Sequence, residues 1–121
     1  MELFILPHRL TVCKLTDPEQ IDPRAEFYFV GRTDEEISLV CREEDVPGSA
    51  FDREDGWRAF RIVGTLDFSL TGILARLSGI LAENGIGIFA VSTYNTDYIL
   101  VKEENLDRAR DVLTSAGYRF V

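Results

Sequence analysis

Two stretches of the chain carry side chains of the kinds that take hold of a small ligand. The first is Asp67-Phe68-Ser69-Leu70-Thr71-Gly72, running into Ile73 and Leu74. Placed just before a helix, it would turn unpaired backbone N–H groups and the positive end of the helix dipole toward a carboxylate or another anion. Gly72 would let that ligand approach the backbone closely. The second is Ser92-Thr93-Tyr94-Asn95-Thr96-Asp97. Its hydroxyls, amide and carboxylate together can receive an ammonium group or a polar side chain. Capped helix starts and ordinary hairpin tips use the same residue types, so each stretch alone also fits a site with nothing bound.

Catalytic constellations are harder to find. The one histidine, His8, lies between Pro7 and Arg9 with no cysteine or carboxylate partner at zinc-ligand spacing. No serine sits in a nucleophile elbow, and no glycine-rich loop ends in Gly-Lys-Ser/Thr. Gly85-Ile86-Gly87 follows a helix rather than preceding one, and reads as a helix stop and a strand start. With no nucleophile–base pair in view, the expectation is a protein without catalytic residues, metal or cofactor.

The elements that must position the two stretches are legible from periodicity. Phe60-Arg61-Ile62-Val63-Gly64 alternates as a strand does. Ile73, Leu74, Leu77, Ile80 and Leu81 fall on one face of a helix. Ser69 or Thr71 is the expected cap and Asn84-Gly85 the expected left-handed stop. Ile86 to Tyr94 and Tyr98 to Val101 form a hairpin through Asn95-Thr96-Asp97. Leu106, Ala109, Val112, Leu113 and Ala116 make a second apolar stripe that stops at Gly117, and Tyr118 to Val121 closes as a short strand. The order β-α-β-β-α-β predicts an α+β fold of the ferredoxin-like kind, with helices on one face of a four-stranded antiparallel sheet.

The first half reads as a degenerate copy. Leu39-Val40-Cys41-Arg42-Glu43-Glu44-Asp45-Val46 echoes Leu100-Val101-Lys102-Glu103-Glu104-Asn105-Leu106 with one residue extra. Phe27 to Val30 and Ile37 to Cys41 make a second hairpin, and Leu10-Thr11-Val12-Cys13 serves as an opening strand. The first helix is missing, because Pro18 and Pro23 leave little room for one. The expected division is residues 1–57 as the worn half and 58–121 as the complete one.

Composition bounds the partners. The 121 residues are 45% hydrophobic and 28% charged, enough to bury a core, and the net charge is −8. That balance excludes a nucleic-acid surface and an anionic membrane, both of which need clustered cations. Fourteen acidic against seven basic side chains lie in residues 1–60, mostly in Asp34-Glu35-Glu36, Glu43-Glu44-Asp45 and Asp52 to Asp55. These clusters read as solvated turns. A divalent-metal site is the alternative, but Arg53 interrupts the last cluster, which lacks the alternating spacing of a calcium loop. No apolar run approaches the roughly 20 residues of a membrane-spanning helix, and the opening Met1-Glu2-Leu3-Phe4-Ile5-Leu6 is too short for a signal peptide. Cys13 and Cys41 sit in apolar, strand-like runs and read as reduced core residues of a cytoplasmic protein.

Taken together, these segments resemble the ACT domain, an amino-acid-binding regulatory module. The likeness is strongest to the tandem form in lysine-sensitive aspartate kinases and CASTOR-type cytosolic arginine sensors. It is carried by Ser92-Thr93-Tyr94-Asn95-Thr96-Asp97-Tyr98-Ile99-Leu100-Val101 running into Lys102 to Leu106. The opening Met1 to Leu10 is also similar to the start of the CASTOR-type proteins. The resemblance implies a small stand-alone protein of two ACT-like halves, binding a free amino acid where ACT units meet. Carried over by position, the ligand-binding residues would be Asp67, Ser69, Leu70, Gly72, Ile73 and Leu74 from the loop. Phe89, Thr93, Tyr94 and Asn95 would serve from the second strand. Lysine-sensitive aspartate kinases have a carboxylate where this chain has Phe89. A buried ammonium without a partner is costly, so basic ligands lose support here unless Asp67 or Asp97 substitutes. The implied partners are a free amino acid, a second copy in a homodimer that pairs Tyr118 to Val121 or Leu3 to Leu6 as edge strands, and a regulated protein. An adaptor with a vestigial pocket is the competing reading.

Overall fold

The computed structural model describes residues 1–121. Along the chain come β1 (Glu2–Ile5), β2 (Leu10–Lys14), β3 (Tyr28–Arg32), β4 (Ile37–Arg42), β5 (Phe51–Ile62), α1 (Ile73–Glu83), β6 (Phe89–Ser92), β7 (Asp97–Lys102), α2 (Leu106–Ser115) and β8 (Arg119–Phe120). Single 3-10 turns occupy Pro18–Gln20, Glu43–Asp45 and Glu103–Asn105. The chain divides into two compact units, Met1–Pro7 with Arg58–Val121, and His8–Trp57.

In the first of these units the C-terminal part of β5 pairs with β7, and β7 pairs antiparallel with β6. The strand β1 is also a member. It runs antiparallel to β5, with Leu3 opposite Ile62 and Ile5 opposite Phe60, and parallel to β8, with Leu3 opposite Phe120. Leu3–Leu6 is therefore not the free edge the sequence suggested, because β1 has a neighbour on each side. The physical reason is that Leu3 is fully buried with Phe60 and Ile62, a burial that an outer strand would forgo. Both helices pack on this same face. Leu77 and Leu81 of α1 and Ala109 and Leu113 of α2 share one core with Leu3, Phe60, Ile62, Ile99 and Val101. Helices of 11 and 10 residues are marginal alone in water, so this shared face is what keeps them folded. Each ends on a left-handed glycine: Gly85 at φ +71° and Gly117 at φ +101°. The chain then doubles back, Ile86 N–H donating to the Leu81 carbonyl (2.9 Å) and Tyr118 N–H to that of Leu113 (3.0 Å).

The unit His8–Trp57 matches the β6-β7-β5 order of the first unit with its own β3-β4-β2, without the helices. Its strands lie in the order β3-β4-β2-β5, all antiparallel, which is the order of a ferredoxin-like sheet. A 3-10 turn at Pro18–Gln20, capped by the Asp17 carboxylate on Glu19 N–H (2.9 Å), stands where a first helix would be. The echo between halves is exact in structure once the pairing is shifted. Ile37–Arg42 and Asp97–Lys102 are equivalent strands, each with three consecutive buried residues and each followed by a 3-10 turn. Leu39 thus corresponds to Ile99 rather than Leu100, and the apparent extra residue disappears. The preceding turns match as well, Thr33 N–H reaching the Glu36 carbonyl at 2.9 Å and Thr93 N–H that of Thr96 at 2.8 Å.

One acidic cluster is not a turn. Asp52 to Asp55 lie within β5, side chains exposed. The pairing of β2 with β5 slips between Leu10 and Val12 and again before Lys14, and positive φ at Asp52 (+48°) and Gly56 (+82°) accompanies the irregular strand. Gly56 N–H donates to Glu43 Oε2 at 2.8 Å, and Arg53 pairs with Asp55 at 2.9 Å. Cys13 and Cys41 are free thiols, buried with Leu15 and Leu39 between paired strands. Burial pushes both upward, Cys41 to about 12.

Candidate functional site

The site begins where β5 gives way to α1. The helix starts from Gly72 at φ +77° and ψ −1°, and no side chain caps it. Ser69 and Thr71 are thus not the cap. The Ser69 N–H is instead turned back to Asp67 Oδ1 (2.8 Å), and Leu70 N–H donates to the Asp67 carbonyl (3.0 Å). This tight turn fixes the loop before the helix. It also holds the Asp67 carboxyl below the usual carboxylate range, through hydrogen bonds from the backbone and then the side chain of Ser69.

The facing wall is the turn between β6 and β7. It spans Thr93 to Thr96, one or two residues earlier than periodicity suggested, because Asp97 is already paired opposite Ser92. Thr93 Oγ1 donates to the Thr96 carbonyl at 3.0 Å and Ser92 Oγ to Asp97 Oδ1 at 2.6 Å. The buried Thr96 hydroxyl reaches the Ile62 carbonyl at 2.8 Å. Leu66 N–H completes the attachment by donating to the Asn95 carbonyl at 2.7 Å. Loop and hairpin tip are therefore two sides of one built structure, although 25 to 30 residues separate them in sequence.

Between them lies a cavity of about 290 Å³. Of the residues singled out from sequence, Asp67, Leu70, Gly72, Ile73, Leu74, Thr93, Tyr94 and Asn95 line it. Two do not. Ser69 is on the exposed outer side of its turn, and Phe89 is half-buried in β6 opposite Leu100. Leu66, Phe68, Ala75, Ser92, Thr96 and Asp97 also line the cavity and were not among those candidates. Four of these, Phe68, Ser92, Thr96 and Asp97, belong to the two polar stretches, and Asp97 is the one the sequence offered, as a substitute carboxylate.

The lining has a definite chemistry. Its charged side chains are two carboxylates, Asp67 and Asp97, with no lysine, arginine or histidine. The uncapped start of α1 supplies the opposite sign, since the first N–H groups of a helix have no partner within it. A zwitterion could thus set its carboxylate at Ile73 to Ala75 and its ammonium toward the carboxylates. Phe68 and Tyr94 meet edge to face with ring centroids 5.0 Å apart, yet are 74% and 79% exposed. Leu70 beside them is 52% exposed, so the rim of the cavity is an apolar patch left open. No group of three or more His, Cys, Asp or Glu side chains is gathered at metal-binding spacing.

Known proteins share this arrangement of elements. The family model of the ACT domain matches residues 52–115. Protein Atu0741 from Agrobacterium tumefaciens superimposes with a TM-score of 0.86 at 33% identity, over 99% of this chain and 91% of that one. The regulatory subunit of aspartate kinase from Thermus thermophilus shares the fold, with a TM-score of 0.66 at 10% identity over 95% and 96% of the two chains. In sequence, the "Cytosolic arginine sensor for mTORC1 subunit 1" of Rattus norvegicus is 28% identical over 135 residues, which covers 88% of this chain and 39% of the sensor. The chain thus spans about two fifths of the length of the curated relatives it matches. A family match over more than half of the sequence, on a unit with the strand order and helix placement described above, means that this chain belongs to the ACT-domain family.

Proposed function

We propose that the chain is a non-catalytic regulatory module that binds a free amino acid at an ACT–ACT interface and signals it to a protein partner. The observation that carries this reading is the cavity between the Asp67–Ala75 segment and the Ser92–Asp97 turn. At about 290 Å³ it lies at the small end of ligand pockets, roughly 300–1,000 Å³. It offers helix N–H groups for a carboxylate, and Asp67 and Asp97 for an ammonium. Those two carboxylates stand in for the one that Phe89 does not provide. Regulatory and sensor proteins among the similar chains support the same class. A second copy closing on Phe68, Leu70 and Tyr94 would cover the exposed rim and make the module a homodimer. The reading places the protein in the cytoplasm, as the name of the rat sensor does for that protein, and no helix is long and apolar enough to cross a membrane.

The exposed aromatic rim also favours a second reading, in which the surface docks a protein and the cavity stays empty. A thermal-shift screen of the purified chain against the twenty amino acids at millimolar concentration separates the two. A ligand at 100 times its Kd adds about 2.7 kcal/mol, on the order of 10 °C for a chain of this size. A selective rise supports the sensor. A flat profile refutes amino-acid binding and leaves the adaptor.

A further inference from the structure

A second cavity, of about 250 Å³, lies on the other flank of the α1 start, lined by Met1, Thr71, Gly72, Ile73, Arg76 and Tyr118. It shares Gly72 and Ile73 with the first cavity but none of its carboxylates. We propose that this cavity binds a compact oxyanion, a carboxylate or phosphoryl group carried by a small molecule, with Arg76 as its anchor.

The guanidinium of Arg76 is held in place from two directions. It lies over the ring of Tyr118, 5.1 Å from the centroid, and its Nη2 donates to the Ala116 carbonyl at 3.0 Å. Tyr118 is itself 4% exposed, so the platform under the guanidinium is rigid. What Arg76 lacks is a carboxylate. Arg42 pairs with Asp45, Arg53 with Asp55 and Arg119 with Glu2, whereas Arg76, like Arg61 over Phe4, stands over a ring instead. Here the lining contains no acid, and the first turn of α1 contains none either. One N–H of the planar fork is spent on Ala116, and the remaining donors match a two-oxygen acceptor. The Thr71 hydroxyl adds a further donor to the same lining. Arg76 stays exposed, so an anion reaches it without any opening of the fold.

The test is a titration of the isotopically labelled full chain, followed by amide and Arg Nε resonances. Sodium phosphate and sodium acetate serve as separate probes, with chloride holding ionic strength constant. The expected result is saturable movement of Thr71, Gly72 and the Arg76 Nε signal, with a midpoint at least tenfold higher in Arg76→Gln. Saturation by phosphate alone names a phosphoryl ligand, and by acetate alone a carboxylate. Linear, unsaturated shifts with both probes overturn the proposal, and so does a midpoint unchanged in Arg76→Gln. Should that variant fail to fold, Arg76→Lys decides. It keeps the charge but loses the fork, so an unchanged midpoint there also overturns the assignment.

Discussion

Replacing Gly72 separates what the fold needs from what the cavity needs. The backbone at this position has φ +77°, and a Cβ built there meets nothing within 4 Å. Gly72→Ala therefore creates no crowding, and its cost is the left-handed conformation alone, about 1–2 kcal/mol for an L-residue. The substitution also removes conformational freedom from the unfolded chain, which returns about 0.4–1 kcal/mol. The net loss should be about 1 kcal/mol, or roughly 4 °C in Tm for a domain of this length. Asn and Asp tolerate this backbone better than Ala does, and an acidic side chain is favoured at a helix start. Gly72→Asp should therefore be at least as stable as Gly72→Ala, and Gly72→Asn similar. Binding should respond differently. A carboxylate about 4–6 Å from the ligand's own, at an effective dielectric near 20, costs about 3–4 kcal/mol. That is two to three orders of magnitude in Kd. Urea midpoints at constant m measure the stability of each variant, and calorimetry with the amino acid found in the screen measures affinity. Two results would refute the reasoning. A Gly72→Ala protein as stable as the parent would mean that the backbone there is not strained. Undiminished affinity in Gly72→Asp would move the ligand away from the helix start.

Other perturbations test the supports of the site and the buried thiols. Thr96→Val keeps shape but removes the hydroxyl that reaches the Ile62 carbonyl at 2.8 Å, and should cost about 1–3 kcal/mol by leaving a buried acceptor short of a donor. A urea midpoint indistinguishable from the parent would mean that this bond does not hold the hairpin. Cys13 and Cys41 should resist a thiol reagent at pH 8 while the chain is folded, and react once it unfolds. Burial raises Cys41 from 9.0 to about 12, so the folded state keeps a proton that the unfolded chain releases. Stability from this group is complete below about pH 9 and declines as pH rises toward 12. Denaturant midpoints that stay flat between pH 8 and 11 would contradict that burial.

The two polar stretches were visible in the sequence because they interrupt strong periodic patterns. The stripe at Ile73, Leu74, Leu77, Ile80 and Leu81 could only be a helix, which placed Asp67 to Gly72 before its start. Local rules also gave both helix stops, since Gly85 and Gly117 adopt the left-handed conformation that ends them. The cap was misjudged for an equally local reason. Ser69 and Thr71 are good capping residues, but the Asp67 turn bonds the Ser69 N–H and leaves Gly72 at the boundary.

Sequence by itself determined both helices and most of the strands, the missing helix of the first half, and the loop and hairpin that line the cavity. These follow from side-chain spacing, from the two prolines after Asp17 and from the glycines, all of which act within a few residues. Tertiary structure decided the rest. It set β1 between β5 and β8, because a buried Leu3 is worth more than an exposed edge. It drew Asp52 to Asp55 into a bulged strand, through pairing with residues about 40 positions away. It also kept Phe89 out of the cavity and brought Phe68 and Asp97 into its lining. A strand's register fixes which side chains face a cavity, and register is set by the partner strand, which local spacing does not specify.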